Sequence, residues 1–195
     1  MSNSELKALA RRQLGDKIFE NNWMLALLVC LIQTALLGAG GTVVPGVGIL
    51  LISGPVLYGV AYLFLKQARD GMPMKIGDIF CGFQSDFSGT FLLGLMTDIY
   101  IILWALLLIV PGFIMAYAYS MAYFIKAEHP DYDWRRCLNE SREIMQGNKW
   151  RLFCLDLSFI GWFIVSIFTL GIGLLWVVPY MQAARAQFYE DVRRR

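Results

Sequence analysis

The chain has 195 residues, of which 57% are hydrophobic and 16% are charged, and its mean hydropathy is +0.54. Soluble domains are about half apolar and a quarter charged, so this composition excludes both a water-soluble monomer and an intrinsically disordered chain. The formal net charge of +2 is too small for a nucleic-acid binder, which leaves an integral membrane protein.

Three long segments with almost no charge predict the part of the chain that spans the membrane. Residues 21–65 carry no charge, residues 87–125 carry only Asp98, and residues 152–184 carry only Asp156. At about 1.5 Å of rise per residue, each segment is roughly twice as long as the ~30 Å hydrocarbon core, so each should cross it twice. We therefore predict an all-α fold of three transmembrane hairpins. The six spans are expected at residues 22–38, 48–66, 89–109, 111–127, 151–168 and 170–187.

Glycine and proline mark the predicted turns and close helix contacts. The three hairpin turns are expected at residues 38–46, at Pro111-Gly112 and at residues 171–173. Within the second span, Gly54 and Gly59 are small enough to let a neighbouring helix approach closely.

The basic residues predict the orientation in the membrane. Lysines and arginines lie in the terminal segments, in the two connectors and at the adjoining helix ends, whereas the hairpin turns carry no charge. The positive-inside rule then places both termini and both connectors in the cytoplasm. Arg135, Arg136 and Arg142, together with the arginine-rich tail, also attract anionic lipid, which we interpret as anchoring rather than as a specific lipid site.

Short amphipathic helices are predicted before the hairpins. Residues 5–14 place apolar side chains on one face after an N-cap at Ser4, and residues 134–145 place an apolar face opposite three arginines. Residues 76–83 form a weaker third example. Helices of this kind lie in the membrane interface on the cytoplasmic side of the predicted hairpins.

Each hairpin with the helix before it forms one unit of a single membrane domain, residues 1–195. Trp23, Trp134 and Trp150 lie where the chain would enter the membrane and are expected to be interfacial anchors. The units span about residues 4–66, 75–127 and 133–190.

The third hairpin carries the most specific part of a resemblance to a known family. The residues concerned are Ser141–Phe153, Leu155–Trp162, Thr169–Gly173, Pro179-Tyr180 and Phe188-Tyr189, with Pro111-Gly112, Ala116–Ala122, Gly54-Pro55, Phe80 and Gly82-Phe83 before them. This set resembles the bacterial integral membrane proteins of the domain-of-unknown-function family numbered 975. The resemblance implies a polytopic protein of the plasma membrane, and it implies no activity, cofactor or catalytic residue.

Asp98 and Asp156 are the ionisable residues predicted to lie deep within the spans. A carboxylate at the centre of a membrane helix costs about 2.5 to 3.5 kcal/mol on insertion scales, so each is a candidate functional group. Similar depths on the first helices of two hairpins would let both line one inner cavity and form a proton or cation site. The alternative is that each is tied to a basic residue or a helix end, for example Asp156 to Lys149 or Arg151.

The remaining motifs point to no reaction. His129 has no second His or Cys nearby, and the cysteines lack CxxC spacing, so neither a metal nor another cofactor is expected. Whether the chain is an enzyme stays open. The leading hypothesis is a non-enzymatic membrane module: a small transporter, a channel-like protein or an accessory subunit. The alternatives are an intramembrane or lipid-modifying enzyme that uses Asp98 or Asp156, and a scaffold that recruits a partner through the amphipathic helices. Membrane lipid and a membrane or cytoplasmic protein are the expected partners, and nucleic acid is not.

Overall fold

A computed structural model of the chain is helical over most of the residues that it describes. The structure describes residues 2–15, 21–43, 47–71, 74–84, 86–168, 171 and 173–194, and these contain no strand. The helices are α1 (Asn3–Leu14), α2 (Asn21–Val43), α3 (Val47–Asp70), a 3-10 helix (Ile76–Phe80), α4 (Cys81–Gln84), α5 (Phe87–Leu107), α6 (Ile109–Tyr119), α7 (Ala122–Glu128), α8 (Trp134–Ile144), α9 (Lys149–Leu157), α10 (Ile160–Phe168) and α11 (Leu174–Arg193).

Three stretches of these helices are long and apolar enough to cross a membrane. Within the described residues they are Leu50–Asp70, Phe87–Leu106 and Ile109–Glu128, and a shorter apolar helix covers Asn22–Gly38. Their length matches the hydrocarbon thickness of a bilayer. The helices therefore indicate a membrane protein, as the composition predicts.

Helix α3 lies at the centre of the helical packing. It contacts α2, α5, α7, α11 and the short helices before α5. A Cβ added at Gly54 would overlap the backbone carbonyl of Thr90, and one added at Gly59 would overlap the carbonyl of Ile79. Both predicted close contacts are confirmed, since only a residue without a side chain fits at these two crossings.

The turn between α5 and α6 lies three residues before the position that the sequence predicts. Leu108 is the extended residue between the two helices, with φ −162° and ψ 140°. Pro111 instead lies in the first turn of α6, where a residue without an N–H is tolerated. Gly112 lies against the backbone of Ala105, where an added Cβ would stand 2.8 Å from the Ala105 Cα. Gly112 therefore serves the packing of α5 on α6 rather than the turn.

The other two predicted turns are described in part. Glycines 38–41, expected in the first turn, belong to α2, which continues to Val43. The rest of that turn, residues 44–46, lies outside the described residues, as do residues 169, 170 and 172 near the third turn. Gly171 has a φ of 85°, a backbone conformation that glycine adopts without steric cost.

The N-terminus of α1 is capped by Ser2 rather than by the predicted Ser4. The Ser2 hydroxyl accepts a hydrogen bond from the Glu5 backbone N–H at 3.3 Å, and the Glu5 carboxylate accepts one from the Ser2 N–H at 2.7 Å. This reciprocal pair is a capping box, which requires a Glu three residues after the cap. Ser2 has such a Glu and Ser4 does not.

The apolar faces of α1 and α8 are buried within the protein. Helix α1 packs on α11, and α8 packs on α5, α6 and α7. The buried side chains are Leu6, Ala10 and Leu14 in α1, and Cys137, Leu138 and Ser141 in α8. These helices thus use their apolar faces for internal packing.

The three tryptophans expected to be interfacial anchors have different surroundings. Trp23 is only 8% exposed, and its indole Nε1 donates a hydrogen bond to the Gly15 carbonyl at 2.9 Å. It therefore ties the start of α2 to the end of α1 and is not free to face lipid. Trp150 is 71% exposed, whereas Trp134 is half-buried beneath the Arg135 guanidinium.

The carboxyl-terminal ends of α3, α7 and α11 meet in a cluster of ion pairs. Arg69 at the end of α3 binds Glu128 of α7 at 2.9 Å and also pairs with Glu190 of α11. Glu128 accepts a further hydrogen bond from the Tyr189 hydroxyl at 2.6 Å and pairs with Arg193. The three helices therefore end on the same side of the molecule.

Candidate functional site

A cavity of about 440 Å³ contains both carboxylates that the sequence singles out. Asp98 lines it from α5 and Asp156 lines it from α9. The other polar residues of the lining are Thr97, Tyr117, Tyr119, Ser120, Tyr123, Gln182 and Arg185. The structure thus brings together two residues that lie in different apolar segments of the sequence.

Asp156 is neutralised by a residue of α11. The Arg185 guanidinium donates to both carboxylate oxygens, at 2.9 Å to Oδ2 and 3.3 Å to Oδ1. The Tyr117 hydroxyl donates to Oδ2 at 3.2 Å. Such a two-pronged contact is the strongest geometry for a guanidinium and a carboxylate. Asp156 is therefore held in place by two neighbouring helices.

Arg185 is not the partner that sequence reasoning proposes for Asp156. The proposed partners were Lys149 and Arg151, but Arg151 pairs with Asp191 of α11 at 2.7 Å. The sequence contained one signal for the true partner, because Arg185 is the first charged residue after the third apolar segment. Helices α9 and α11 run in opposite directions. Their interface therefore contains two successive ion pairs, Arg151 with Asp191 and Asp156 with Arg185.

Asp98 is the cavity carboxylate whose charge no described basic residue neutralises. Within the part of the chain that the structure describes, Asp98 makes no hydrogen bond and no ion pair. The hydroxyl of the neighbouring Thr97 donates to the Leu93 carbonyl at 2.6 Å and is thus already used. Two carboxylates against one guanidinium give the described lining a formal charge of −1.

Two helices that line the cavity are interrupted at a serine. Between α6 and α7 the Ser120 N–H donates to the Tyr117 carbonyl at 3.4 Å, and between α9 and α10 the Phe159 N–H donates to the Asp156 carbonyl at 3.0 Å. Both bonds reach back three residues, so the helices tighten locally, as at many functional hinges.

The side chains at these breaks give a physical reason for them. The Ser120 hydroxyl donates to the Tyr117 carbonyl at 2.7 Å, and the Ser158 hydroxyl donates to the Leu155 carbonyl at 2.5 Å. A serine that bonds back to the preceding turn competes with the helical ladder and bends the helix. Sequence reasoning predicted neither interruption, although a serine inside an apolar helix is a weak signal for one.

The described residues offer no cluster for a metal ion. No group of three or more His, Cys, Asp or Glu side chains within them could hold one. His129 stacks on Tyr132, with ring centroids 4.3 Å apart. The chemistry available at the cavity is therefore that of two carboxylates, a guanidinium, the Gln182 amide and several hydroxyls.

One protein family matches the chain. Its model, described as a protein of unknown function (DUF975), matches residues 106–195. No curated protein and no solved structure matches. The matched region contains Asp156, Arg185 and both helix interruptions, whereas Asp98 precedes it. The match agrees with the resemblance found in the sequence: residues 106–195 are similar to the DUF975 family of proteins of unknown function.

Proposed function

We propose that the chain is a non-enzymatic membrane module, a small transporter or channel-like protein, that binds and passes a proton or a small cation through the cavity lined by Asp98 and Asp156. Its topology would be six spans in three hairpins in the plasma membrane, with both termini in the cytoplasm. The ion-pair cluster at the ends of α3, α7 and α11 supports this topology, because the second helix of every hairpin should return to the same side.

The observation that carries the proposal is the carboxylate of Asp98. It faces a cavity within apolar helices and has neither an ion pair nor a hydrogen bond among the described residues. An uncompensated carboxylate is costly in a membrane, and such residues commonly mark ion or proton pathways. A proton or a monovalent cation would neutralise the formal charge of −1 on the lining.

Asp156 would have a supporting function in the same cavity. Its charge is already balanced by Arg185, and Tyr117 and Arg185 hold it in place. The helix interruption that follows Asp156 and the one at Ser120 provide two points at which the lining could move. Interrupted helices at the binding site are a recurrent feature of transporters.

The two alternative functions have weaker support. A scaffold that recruits a partner through amphipathic helices needs an accessible apolar face, but those of α1 and α8 are buried internally. An intramembrane enzyme needs a nucleophile, base and acid that converge. In the described cavity, the candidate base Asp156 is engaged by Arg185.

Ion flux into liposomes tests the proposal. The purified full chain is reconstituted with an internal pH-sensitive dye, and a potassium diffusion potential, negative inside, drives proton entry; a sodium-sensitive dye provides the parallel measurement. The wild type should admit one of these ions faster than protein-free liposomes do. Asp98→Asn should return the rate to that background, because the amide keeps the shape but removes the charge.

Asp131→Asn is the matched control, since Asp131 is an exposed carboxylate in the loop before α8. It should keep the wild-type rate. The proposal would be overturned if wild-type liposomes admitted both ions no faster than protein-free liposomes do. It would also be overturned if Asp98→Asn kept the wild-type rate of ion entry. Thermal unfolding in detergent verifies that each variant is folded before its rate is compared.

A further inference from the structure

A second hollow lies between α8 and the hairpin formed by α5 and α6. Its volume is about 420 Å³, and it shares only Tyr119 with the lining of the cavity described above. Helix α8 contributes its basic face, and α5 and α6 contribute aromatic side chains. The hollow, called here the α8 groove, therefore joins a charged wall to an apolar wall.

The charged wall consists of three residues of α8. Arg135, Asn139 and Arg142 are separated by four and three positions, so they lie on one face of the helix. All three are exposed, and neither arginine forms an ion pair within the described residues. The described lining of the groove also contains no carboxylate. The Arg135 guanidinium lies 5.1 Å from the centre of the Trp134 ring, which leaves its N–H groups able to donate to an anion, as those of Arg142 can.

The third arginine of α8 points elsewhere. Arg136 donates a hydrogen bond to the Tyr132 hydroxyl at 3.0 Å, and its guanidinium lies 3.7 Å from the centre of the Tyr132 ring. It does not line the groove. Two adjacent arginines of α8 therefore differ in position: Arg135 lines the groove, whereas Arg136 contacts Tyr132 on another face of the helix.

The apolar wall leads to the part of the molecule that faces hydrocarbon. Tyr100 and Trp104 of α5 line the groove, and Trp104 is 38% exposed. Next to them, the end of the hairpin exposes Leu103, Leu106 and Phe113, with Leu106 reaching 84%. These residues belong to the helices that are apolar enough to span a membrane. A molecule in the groove would therefore contact charge at one end and lipid-facing surface at the other.

We propose that the α8 groove binds an anionic phospholipid of the surrounding bilayer. Arg135 and Arg142 would bind its phosphate, because a guanidinium offers paired N–H donors that match phosphate oxygens. An acyl chain would lie against Trp104 and the exposed apolar side chains next to it. Aromatic rings with one polar edge favour this boundary between headgroup and hydrocarbon.

A net negative headgroup is favoured over a zwitterionic one. The headgroup of phosphatidylcholine contains a cation of its own, which the two arginines would repel. Phosphatidylglycerol contains the same phosphate without that cation. The groove should therefore distinguish the two lipids by charge, and the proposal does not depend on whether the first cavity passes ions.

Native mass spectrometry of the full chain in a neutral detergent tests the proposal. Titration with phosphatidylglycerol should show one retained lipid, and the Arg135→Gln/Arg142→Gln variant should bind it about 30-fold more weakly, from the contribution of two basic residues near an anionic headgroup. Phosphatidylcholine should bind weakly to both proteins. Because the two arginines are exposed, the variant is expected to unfold at the wild-type temperature.

Arg136→Gln is the matched control, since it removes the same charge from the same helix. It should retain the wild-type affinity for phosphatidylglycerol. An equal loss in Arg136→Gln would show attraction by overall charge and overturn a specific site, and so would an unchanged affinity in the double variant. A final competition experiment adds glycerol phosphate, which has no acyl chains. If it displaces phosphatidylglycerol at equal concentration, the groove recognises a soluble phosphate and the lipid proposal fails.

Discussion

The ion pair between Asp156 and Arg185 should contribute about 2 kcal/mol of coupling energy to the stability of the folded chain. Two N–H donors reach the carboxylate, at 2.9 and 3.3 Å, and the side chains are 16% and 34% exposed. Exposed pairs are worth about 0.2 to 1 kcal/mol, and removing one partner of a fully buried pair costs about 3 to 5 kcal/mol. Partial exposure places this pair between the two ranges.

The single variants should differ in a predictable order. Arg185→Gln should lower the free energy of unfolding by about 2.5 kcal/mol, because it leaves the partly buried Asp156 carboxylate charged and without a basic partner. Asp156→Asn should cost about 1.5 kcal/mol, because the longer and more exposed Arg185 can turn its guanidinium towards water. The double variant should then lose about 2 kcal/mol, less than the sum of the two.

A double-mutant cycle in detergent measures these values from tryptophan fluorescence during denaturant unfolding. The control cycle uses Lys66 and Asp78, a pair at 3.4 Å whose side chains are 32% and 28% exposed. Its coupling energy should stay below about 1 kcal/mol. A coupling energy for Asp156 and Arg185 no larger than that of the control would refute the reasoning, as would a greater cost for Asp156→Asn than for Arg185→Gln.

Two further predictions concern packing and pH. Gly54→Ala should lower the free energy of unfolding by about 3 kcal/mol, because the new Cβ overlaps the Thr90 carbonyl. Gly161→Ala is the control and should leave the free energy of unfolding unchanged, because the space around Gly161 is open. Equal melting temperatures in the two variants would contradict the close crossing of α3 and α5. Lys126 is buried and binds Asp86 at 2.7 Å, and this hydrogen bond lowers the pKa of the Asp86 carboxyl below its ordinary value. The pair therefore stabilises the fold above the unfolded pKa of about 3.9 and loses this effect as the pH falls through the lowered folded value. Melting curves at pH 7 and in steps below pH 4 should show a smaller acid-induced loss in Lys126→Met than in the wild type, and parallel losses would contradict the assignment.

The class of the protein and the positions of the long helices α2, α3 and α5 could be predicted from the sequence, whereas the breaks within the later predicted spans could not. Apolar residues and charges have opposite transfer energies into hydrocarbon, so the blocks without charge coincide with the long helices α2, α3 and α5. The same contrast singled out Asp98 and Asp156, and the structure places both in one cavity.

Pairing between distant segments was decided only by the tertiary structure. The sequence predicted Lys149 or Arg151 as the partner of Asp156, because both are near it along the chain, but the antiparallel packing of α9 and α11 brings Arg185 to it. Trp23 has the sequence context of an interfacial anchor, yet the docking of α1 and α11 buries its ring. Composition and periodicity depend only on residues that are close together in the sequence, and they determine which segments enter the membrane. The charge balance of the cavity depends on which helix faces which, and that choice belongs to the packing of the whole chain.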